Sequence, residues 1–405
     1  MTIYSVHVHS NSELISLIHK IGADPRSAAY FLPKREILPI WVSQVDFRAA
    51  AYVKQELLAR GGDAIVHKNV IDGRTEKSDV LLLGTEGQYK ALLLKLKALS
   101  CWGLDQLREE LSNTFKAMAQ RSWNLSLPRH RTLSLGGGET KVMGILNITP
   151  DSFYSESRLS TADEAVKRAR QMLEAGADIL DIGAESTRPG SDPISATEEQ
   201  DRLIPALSAV RKEFQDAVIS VDTYRGETAR IASDCGADII NDVSGFTLDQ
   251  DMFSATVQTD LVYVLSHIQG IPKTMQNNPV YCDVIGESID YFHQRLHMLA
   301  EAGVAPDRII IDPGIGFGKR LEDNMRVLKF IQSYRSLGRP ILVGHSRKGF
   351  IRTLLETEDT TSRLYGTLAV SAYCAKEAVE LVRVHDVKAT HDVITIIKAI
   401  REAGM

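Results

Sequence analysis

Eight stretches of this chain pair an apolar run with polar residues that could do chemistry. In chain order the polar ends are Asn147 with Thr149-Pro150-Asp151, Asp181 with Glu185-Ser186-Thr187-Arg188-Pro189-Gly190, Asp222-Thr223, and Asn241-Asp242. Ser266-His267, Asp312 with Gly314-Ile315-Gly316-Phe317-Gly318-Lys319, His345-Ser346-Arg347-Lys348, and Arg383 with His385-Asp386 complete the series. Asp222, Asn241 and Asp312 offer acceptors and an amide donor, which suit a flat heterocycle with several N–H groups. Arg188, Lys348, Arg383 and His385 offer cationic or donor groups at the rim, which suit phosphate and carboxylate. No nucleophile, base and orienting group form a triad. The chemistry so read is the binding of a nitrogen heterocycle and the stabilisation of an anionic leaving group.

Each residue alone has a plainer reading. Asp222 could cap a helix and Asp312, before Pro313, could form a turn. Arg383 or His385 could be a surface ion pair, and Phe317 could be core. The functional reading draws its weight from eight polar ends that would share one rim. Asp181 and Asp242 adjoin the ring positions and are not assigned to the site. Asp386 and His391-Asp392 are read as capping or solvated residues of the last helix.

The elements that must position these residues repeat as strand, loop and helix from Lys141 onward. The apolar runs predict strands at 142–148, 179–183, 218–221, 239–243, 261–266, 309–312, 341–344 and 381–384. The 3.6-residue period predicts helices at 162–175, 196–214, 226–235, 251–258, 285–302, 321–336, 363–376 and 387–402. Eight such units predict an α/β fold, a (β/α)8 TIM barrel, preceded by a small separate α/β domain. Continuous rather than alternating apolar runs suit parallel strands covered on both faces. A doubly wound open sheet is the alternative, and no G-x-G-x-x-G follows the first strand to support it.

Residues 1–128 read as an accessory domain of unassigned role, and 129–405 as the barrel. In the first, strands are expected at 2–8, 36–45, 63–70 and 79–84, with helices at 12–21, 47–60, 89–98 and 104–119. His7 and His9 alternate on one strand face, but no third metal ligand lies nearby. Residues 121–140 read as a linker with a short strand around Leu133-Ser134-Leu135. Gly136-Gly137-Gly138 fails the phosphate-loop spacing, because Lys141 follows too soon and Val142 replaces the hydroxyl. A chain starting near Arg129 is therefore expected to stay active.

A net charge of −5 and the lack of a long basic cluster argue against a nucleic-acid partner. The four cysteines, at 101, 235, 282 and 374, form no C-x-x-C pair, so neither a disulfide framework nor a zinc knuckle is indicated. No secretion signal is read at the start, and no apolar run is long enough to span a bilayer. The expectation is a cytoplasmic protein without membrane attachment.

The motifs, taken together, resemble dihydropteroate synthases. They are NITPDSF (147–153), DIGAESTRPG (181–190), SVDT (220–223), NDVSG (241–245), PKTMQ (272–276), DPGIGFGK (312–319), GHSRK (344–348) and RVHD (383–386). The resemblance implies condensation of 6-hydroxymethyl-7,8-dihydropterin diphosphate with 4-aminobenzoate, giving dihydropteroate and pyrophosphate. It implies Mg2+ and a homodimer. It places Asp222, Asn241 and Asp312 on the pterin ring, with Lys348 reaching the same site. Phe317 and Lys348 would shape the aminobenzoate pocket. Asn147, Arg383 and His385 would hold the diphosphate, with Asn147 on the metal. Asp151, Thr187 and Arg188 would close over the substrates. Pyrophosphate would leave first, and the aryl amine would attack a pterin-methylene cation.

Three positions depart from the family pattern. The first loop reads Tyr154-Ser155-Glu156-Ser157-Arg158 in place of a glycine-containing run. Ser266 stands before His267 where a Met is usual. Gly349 replaces a frequent Ser after Lys348, although backbone N–H groups there could substitute for its hydroxyl. Two other readings remain at this stage. A pterin-dependent methyltransferase would have no use for Lys348, Arg383 and His385. A non-catalytic pterin-binding scaffold would use residues 1–128 as its interaction module.

Overall fold

The computed structural model describes the chain apart from residues 2, 4, 5, 7, 9, 149–157, 186–192, 358, 360, 361, 404 and 405, with 158–161 described in backbone alone. Contacts divide it into two units, Ala117–Arg401 and Met1–Lys116 with the last few residues. The smaller unit holds a three-stranded antiparallel sheet of β1 (Leu38–Asp46), β2 (Asp63–Val66) and β3 (Lys77–Gly84), in the order β1-β3-β2. Helices Phe47–Leu58 and Glu86–Leu96 bury Ala49, Ala50, Val53, Leu57, Tyr89, Leu92 and Leu96. A Thr85–Gln88 capping box starts the second of these, satisfying two N–H groups of its first turn. The expected strand at 2–8, with His7 and His9, falls mostly outside the described residues.

In the larger unit, short apolar runs form eight parallel strands. They are β6 (Lys141–Asn147), β7 (Ile179–Gly183), β8 (Val218–Asp222), β9 (Ile239–Asp242), β10 (Val262–Ser266), β11 (Ile309–Asp312), β12 (Leu342–Gly344) and β13 (Leu381–Val384). They pair in the order β11-β10-β9-β8-β7-β6-β13-β12. A parallel bridge between Ile311 and Ile341 joins the two ends, supported by the Ile311 N–H donating to the Pro340 carbonyl at 3.0 Å. The sheet thus curls into a barrel with helices outside it. The segment expected as one helix over 321–336 is instead an α-helix over Leu321–Lys329 followed by a 3-10 stretch over Ile331–Leu337.

Side chains alternate across the wall. Met143, Ile179, Ile239, Val262, Val264, Ile310, Leu342 and Leu381 share an interior cluster. Their neighbours Leu180, Ile182, Ile219, Val221, Ile240, Tyr263, Leu265 and Ile311 join the larger cluster that includes the helices. Continuing the period of two, Asp181, Asp222, Asn241, Ser266, Asp312, Gly344 and Arg383 face inward toward the C-terminal ends of their strands.

The other end of the barrel is plugged. Strands β4 (Ser122–Leu127) and β5 (Arg131–Gly136) form an antiparallel hairpin. Trp123, Leu125, Leu127, Leu133 and Leu135 alternate along it and pack into the interior cluster. The Trp123 indole N–H donates to the Gly338 carbonyl at 3.2 Å. Arg129 and Arg131 from the hairpin, with Arg211, engage the buried Asp238, which also accepts the Ile219 N–H at 2.9 Å. The reading of 121–140 as a linker with one short strand is therefore corrected: Ser122–Leu127 is a strand, and the expected boundary at 128/129 falls inside the hairpin.

This geometry sets a testable consequence. A truncated chain starting at Arg129 loses β4 and three interior side chains, each worth about 2–5 kcal/mol by analogy with large-to-small core changes. In urea denaturation it unfolds at a clearly lower midpoint than one starting at Ala117. Equal midpoints would show that the plug contributes nothing to the barrel.

Candidate active site at the open end of the barrel

The inward-facing strand ends converge on Arg383. From the end of β13 its Nε donates to Asp181 Oδ2 at 2.6 Å and its Nη2 to Asp222 Oδ2 at 2.6 Å. The Asn241 side-chain amide donates to the same Asp181 oxygen at 3.3 Å. Three strands separated in the chain thus meet through one guanidinium. Its planar fork suits this bridging role, which an ammonium could not fill in the same way. Burial works against the Arg383 charge, and the two carboxylates more than offset it, so its pKa is raised. Asp222 is pushed up to about 7, first by burial and then by Asp181, with Arg383 working against the rise.

A second group sits beside it. Gly344, at the end of β12, has Asp312 Oδ2, Lys348 Nζ and the Arg383 Cβ all within 4 Å of where a Cβ would stand. Any side chain at 344 would enter this cluster. Asp312 accepts the Gly314 N–H at 2.8 Å, and burial raises its pKa while Lys348 opposes the rise. The Lys348 ammonium donates to the Ile315 carbonyl and lies 4.0 Å from the Phe317 ring centroid. Burial lowers the Lys348 pKa to about 8. Phe317 packs with Val243, Ile268 and Met275, giving an aromatic wall beside a cation.

Buried polar contacts hold the loops that carry these groups. Lys319 donates to the carbonyls of Gly314 at 3.1 Å and His267 at 3.3 Å, and approaches His267 Nδ1 at 2.9 Å. Burial and the neighbouring Lys319 lower the His267 pKa to about 2, so the ring is neutral and its Nδ1 accepts. The loop around Gly314, Gly316 and Gly318 is closely packed. A Cβ at 314 would lie 1.9 Å from the His267 carbonyl oxygen, and one at 318 would lie 2.1 Å from that of Gln269. At the second loop, Arg225 bonds Glu185 at 2.6 Å before residues 186–192 and the Ile194 carbonyl at 2.6 Å after them. The buried Glu199 lies 3.0 Å from Arg225.

The structure thus brings Asp222, Asn241, Asp312, Phe317, Lys348 and Arg383 to one end of the barrel. Asn147 ends β6 opposite Gly183 in register, half-buried. His385 is held through Nδ1 by Ser346 Oγ at 3.0 Å. Asp151, Thr187, Arg188 and the departing first-loop residues lie outside the described residues. Arg383 lies deeper than the rim where its charge suggested it. Asp181, left off the site by sequence reasoning, is buried at its centre. Its position two residues before the end of β7 was the available signal, since the same period places Asp222 and Asn241 inward. Asp242 faces out, accepting from the N–H groups of Ser244 and Phe246 and from the Tyr263 hydroxyl. Asp386 is not simply solvated: Arg347 grips it at 2.6 and 3.0 Å.

A raised carboxyl pKa favours the fold below the ordinary value, and that gain is lost as pH rises through the folded value. For Asp222 that window runs from 3.8 to about 7. Arg383→Met removes the charge opposing the rise, so Asp222 titrates higher still in the variant. Carbon-13 NMR of labelled aspartate reads this directly. A downward shift would contradict the pairing.

A family profile described as pterin binding enzyme matches residues 143–385. A dihydropteroate synthase of Synechocystis sp. is 42% identical over 274 residues, covering 68% of this chain and 94% of that protein. A probable bifunctional folylpolyglutamate synthase/dihydropteroate synthase of Halobacterium salinarum is 36% identical over 360 residues, 89% of this chain and 42% of that protein. That match is longer than the barrel unit, so the likeness extends into the N-terminal unit. Among solved structures, the Yersinia pestis dihydropteroate synthase with a sulfonamide drug complex superposes with a TM-score of 0.64 at 36% identity. It covers 69% of this chain and 100% of its own. The chain belongs to the dihydropteroate synthase family of pterin binding enzymes.

Proposed function

We propose that the protein condenses 6-hydroxymethyl-7,8-dihydropterin diphosphate with 4-aminobenzoate, releasing pyrophosphate and 7,8-dihydropteroate. The observation that carries this reading is the convergence of Asp222, Asn241 and Asp312 beside Arg383 and Lys348 at one barrel end. Neither a methyltransferase nor a binding scaffold needs that combination of heterocycle acceptors with anion-binding groups.

In this reading the C–O bond between the pterin methylene and the diphosphate breaks first, its electron pair leaving with pyrophosphate. The resulting cation forms beside the carboxyl groups of Asp222 and Asp312, polar groups whose positions are fixed before the reaction and need little reorganisation. The 4-aminobenzoate nitrogen then attacks the methylene carbon and gives up a proton to water. Phe317 and Lys348 orient the aromatic ring and its carboxylate, so that attack is effectively intramolecular. His385 and Arg383 hold the diphosphate side.

Mg2+ fits the donors present. Among the described residues no three His, Cys, Asp or Glu side chains gather to hold a metal. Mg2+ keeps several waters and commonly binds through substrate phosphates with one or two protein ligands. The neutral amide oxygen of Asn147, at the end of β6, would be such a ligand. When bound, the ion would neutralise charge building on the departing diphosphate. A homodimer in the cytoplasm completes the reading. Among the described residues no helix is long and apolar enough to cross a membrane.

Purified protein with Mg2+ and both substrates is expected to release pyrophosphate and form dihydropteroate. Binding of both substrates without turnover would favour the scaffold. His385→Ala is expected to lower turnover by about 10²-fold or more, on the scale of lost transition-state charge stabilisation. Pterin binding, read by calorimetry, should change far less. Unchanged turnover would remove His385 from the diphosphate site.

A further inference from the structure

Ser266 is a buried hydroxyl to which the described residues around it offer no hydrogen bond. It ends β10 and is 1% exposed, and its Oγ finds no hydrogen-bond partner among the described residues. Its strand lies between β9, which carries Asn241, and β11, which carries Asp312. In register it stands directly opposite Asp312. The alternation that puts Val262 and Val264 in the interior puts Ser266 on the same face, one step nearer the open end. The backbone here is already used: the Tyr291 hydroxyl donates to the Ser266 carbonyl at 3.2 Å, and the His267 N–H donates to the Asp312 carbonyl at 3.0 Å.

Most buried polar side chains are hydrogen-bonded, so each exception asks for a partner. Two further inward atoms share the condition, Asp181 Oδ1 and Ser220 Oγ. Those two residues oppose each other in register, deeper in the barrel than Asp222. Ser266 differs, because it flanks the heterocycle-binding carboxylate at the strand end. A thioether, as expected of the family here, would fill this space with an apolar contact; a hydroxyl offers a donor and an acceptor in less volume.

We infer that Ser266 is a specificity-determining contact of the pterin seat, its hydroxyl completing a polar arc with Asn241 and Asp312 around the heterocycle's polar edge. The inference rests on the proposed function, since it requires that a pterin occupy this end of the barrel. Removing the hydroxyl separates the two states of the protein. In the free chain Ser266→Ala deletes an unpaired buried group, so the melting midpoint stays equal or rises. In the complex it deletes a hydrogen bond, so affinity falls by about fivefold to tenfold.

The test is calorimetric titration of the full chain and of Ser266→Ala with 6-hydroxymethylpterin, which lacks the diphosphate, and then with the diphosphate substrate and Mg2+. The expected result is the same loss for both probes, with the KM for 4-aminobenzoate unchanged and no loss of thermal stability. Equal affinity of the two proteins for 6-hydroxymethylpterin would overturn the role of Ser266 while leaving the functional reading intact. A lowered midpoint with KM values that move together would make Ser266 a packing residue instead. Failure of the wild-type chain to bind either pterin would overturn the inference together with the reading it rests on.

Discussion

One buried guanidinium holds the open end of this barrel together. Arg383 bridges Asp181 and Asp222, and Asn241 shares the first of these carboxylates. An isolated ion at this depth would carry a penalty of several kcal/mol, so each of the three charges depends on the others. Two carboxyl groups and an amide around one cation leave the group rich in acceptor oxygens. Such a set suits a heterocycle that presents N–H donors, in keeping with the proposed function.

Everything below and around that floor limits its freedom to move. The β4–β5 hairpin fills the opposite mouth with five alternating apolar side chains, so the interior is packed with apolar side chains up to the polar layer. Asp238 gathers three arginines at that closed end and fixes the hairpin turn to the wall. At the open end, Lys319 draws together carbonyls from the loops after β10 and β11, and Arg225 grips both sides of the second loop. Lys319 is met by carbonyls and a ring nitrogen, whereas Arg225 is met by the carboxylates of Glu185 and Glu199 together with the Ile194 carbonyl.

Much of this is legible in the sequence. The strand limits at Ile179–Gly183, Ile309–Asp312 and Leu381–Val384 coincide with the apolar runs, because parallel strands covered on both faces must be apolar throughout. The polar ends then marked the floor. What escaped was information of a different kind. Asp181 looked like a neighbour of the site because its inward direction follows from counting back along β7, while its partner Arg383 is 202 residues away. The strand Ser122–Leu127 was hidden by polar residues that face solvent between Trp123, Leu125 and Leu127, although the alternation was present. The depth of Arg383 could not be read at all, since charge alone suggested the rim and only the two carboxylates draw it inside.

The central claim is that Asp222, Asn241 and Asp312 form one seat for a pterin. A crystal structure of the protein with 6-hydroxymethyl-7,8-dihydropterin diphosphate tests it most directly. The account predicts the bicyclic ring at the open end of the barrel, with polar ring atoms within about 3.2 Å of all three side chains. A ring bound elsewhere on the chain, or at this end but turned away from those three groups, would contradict it.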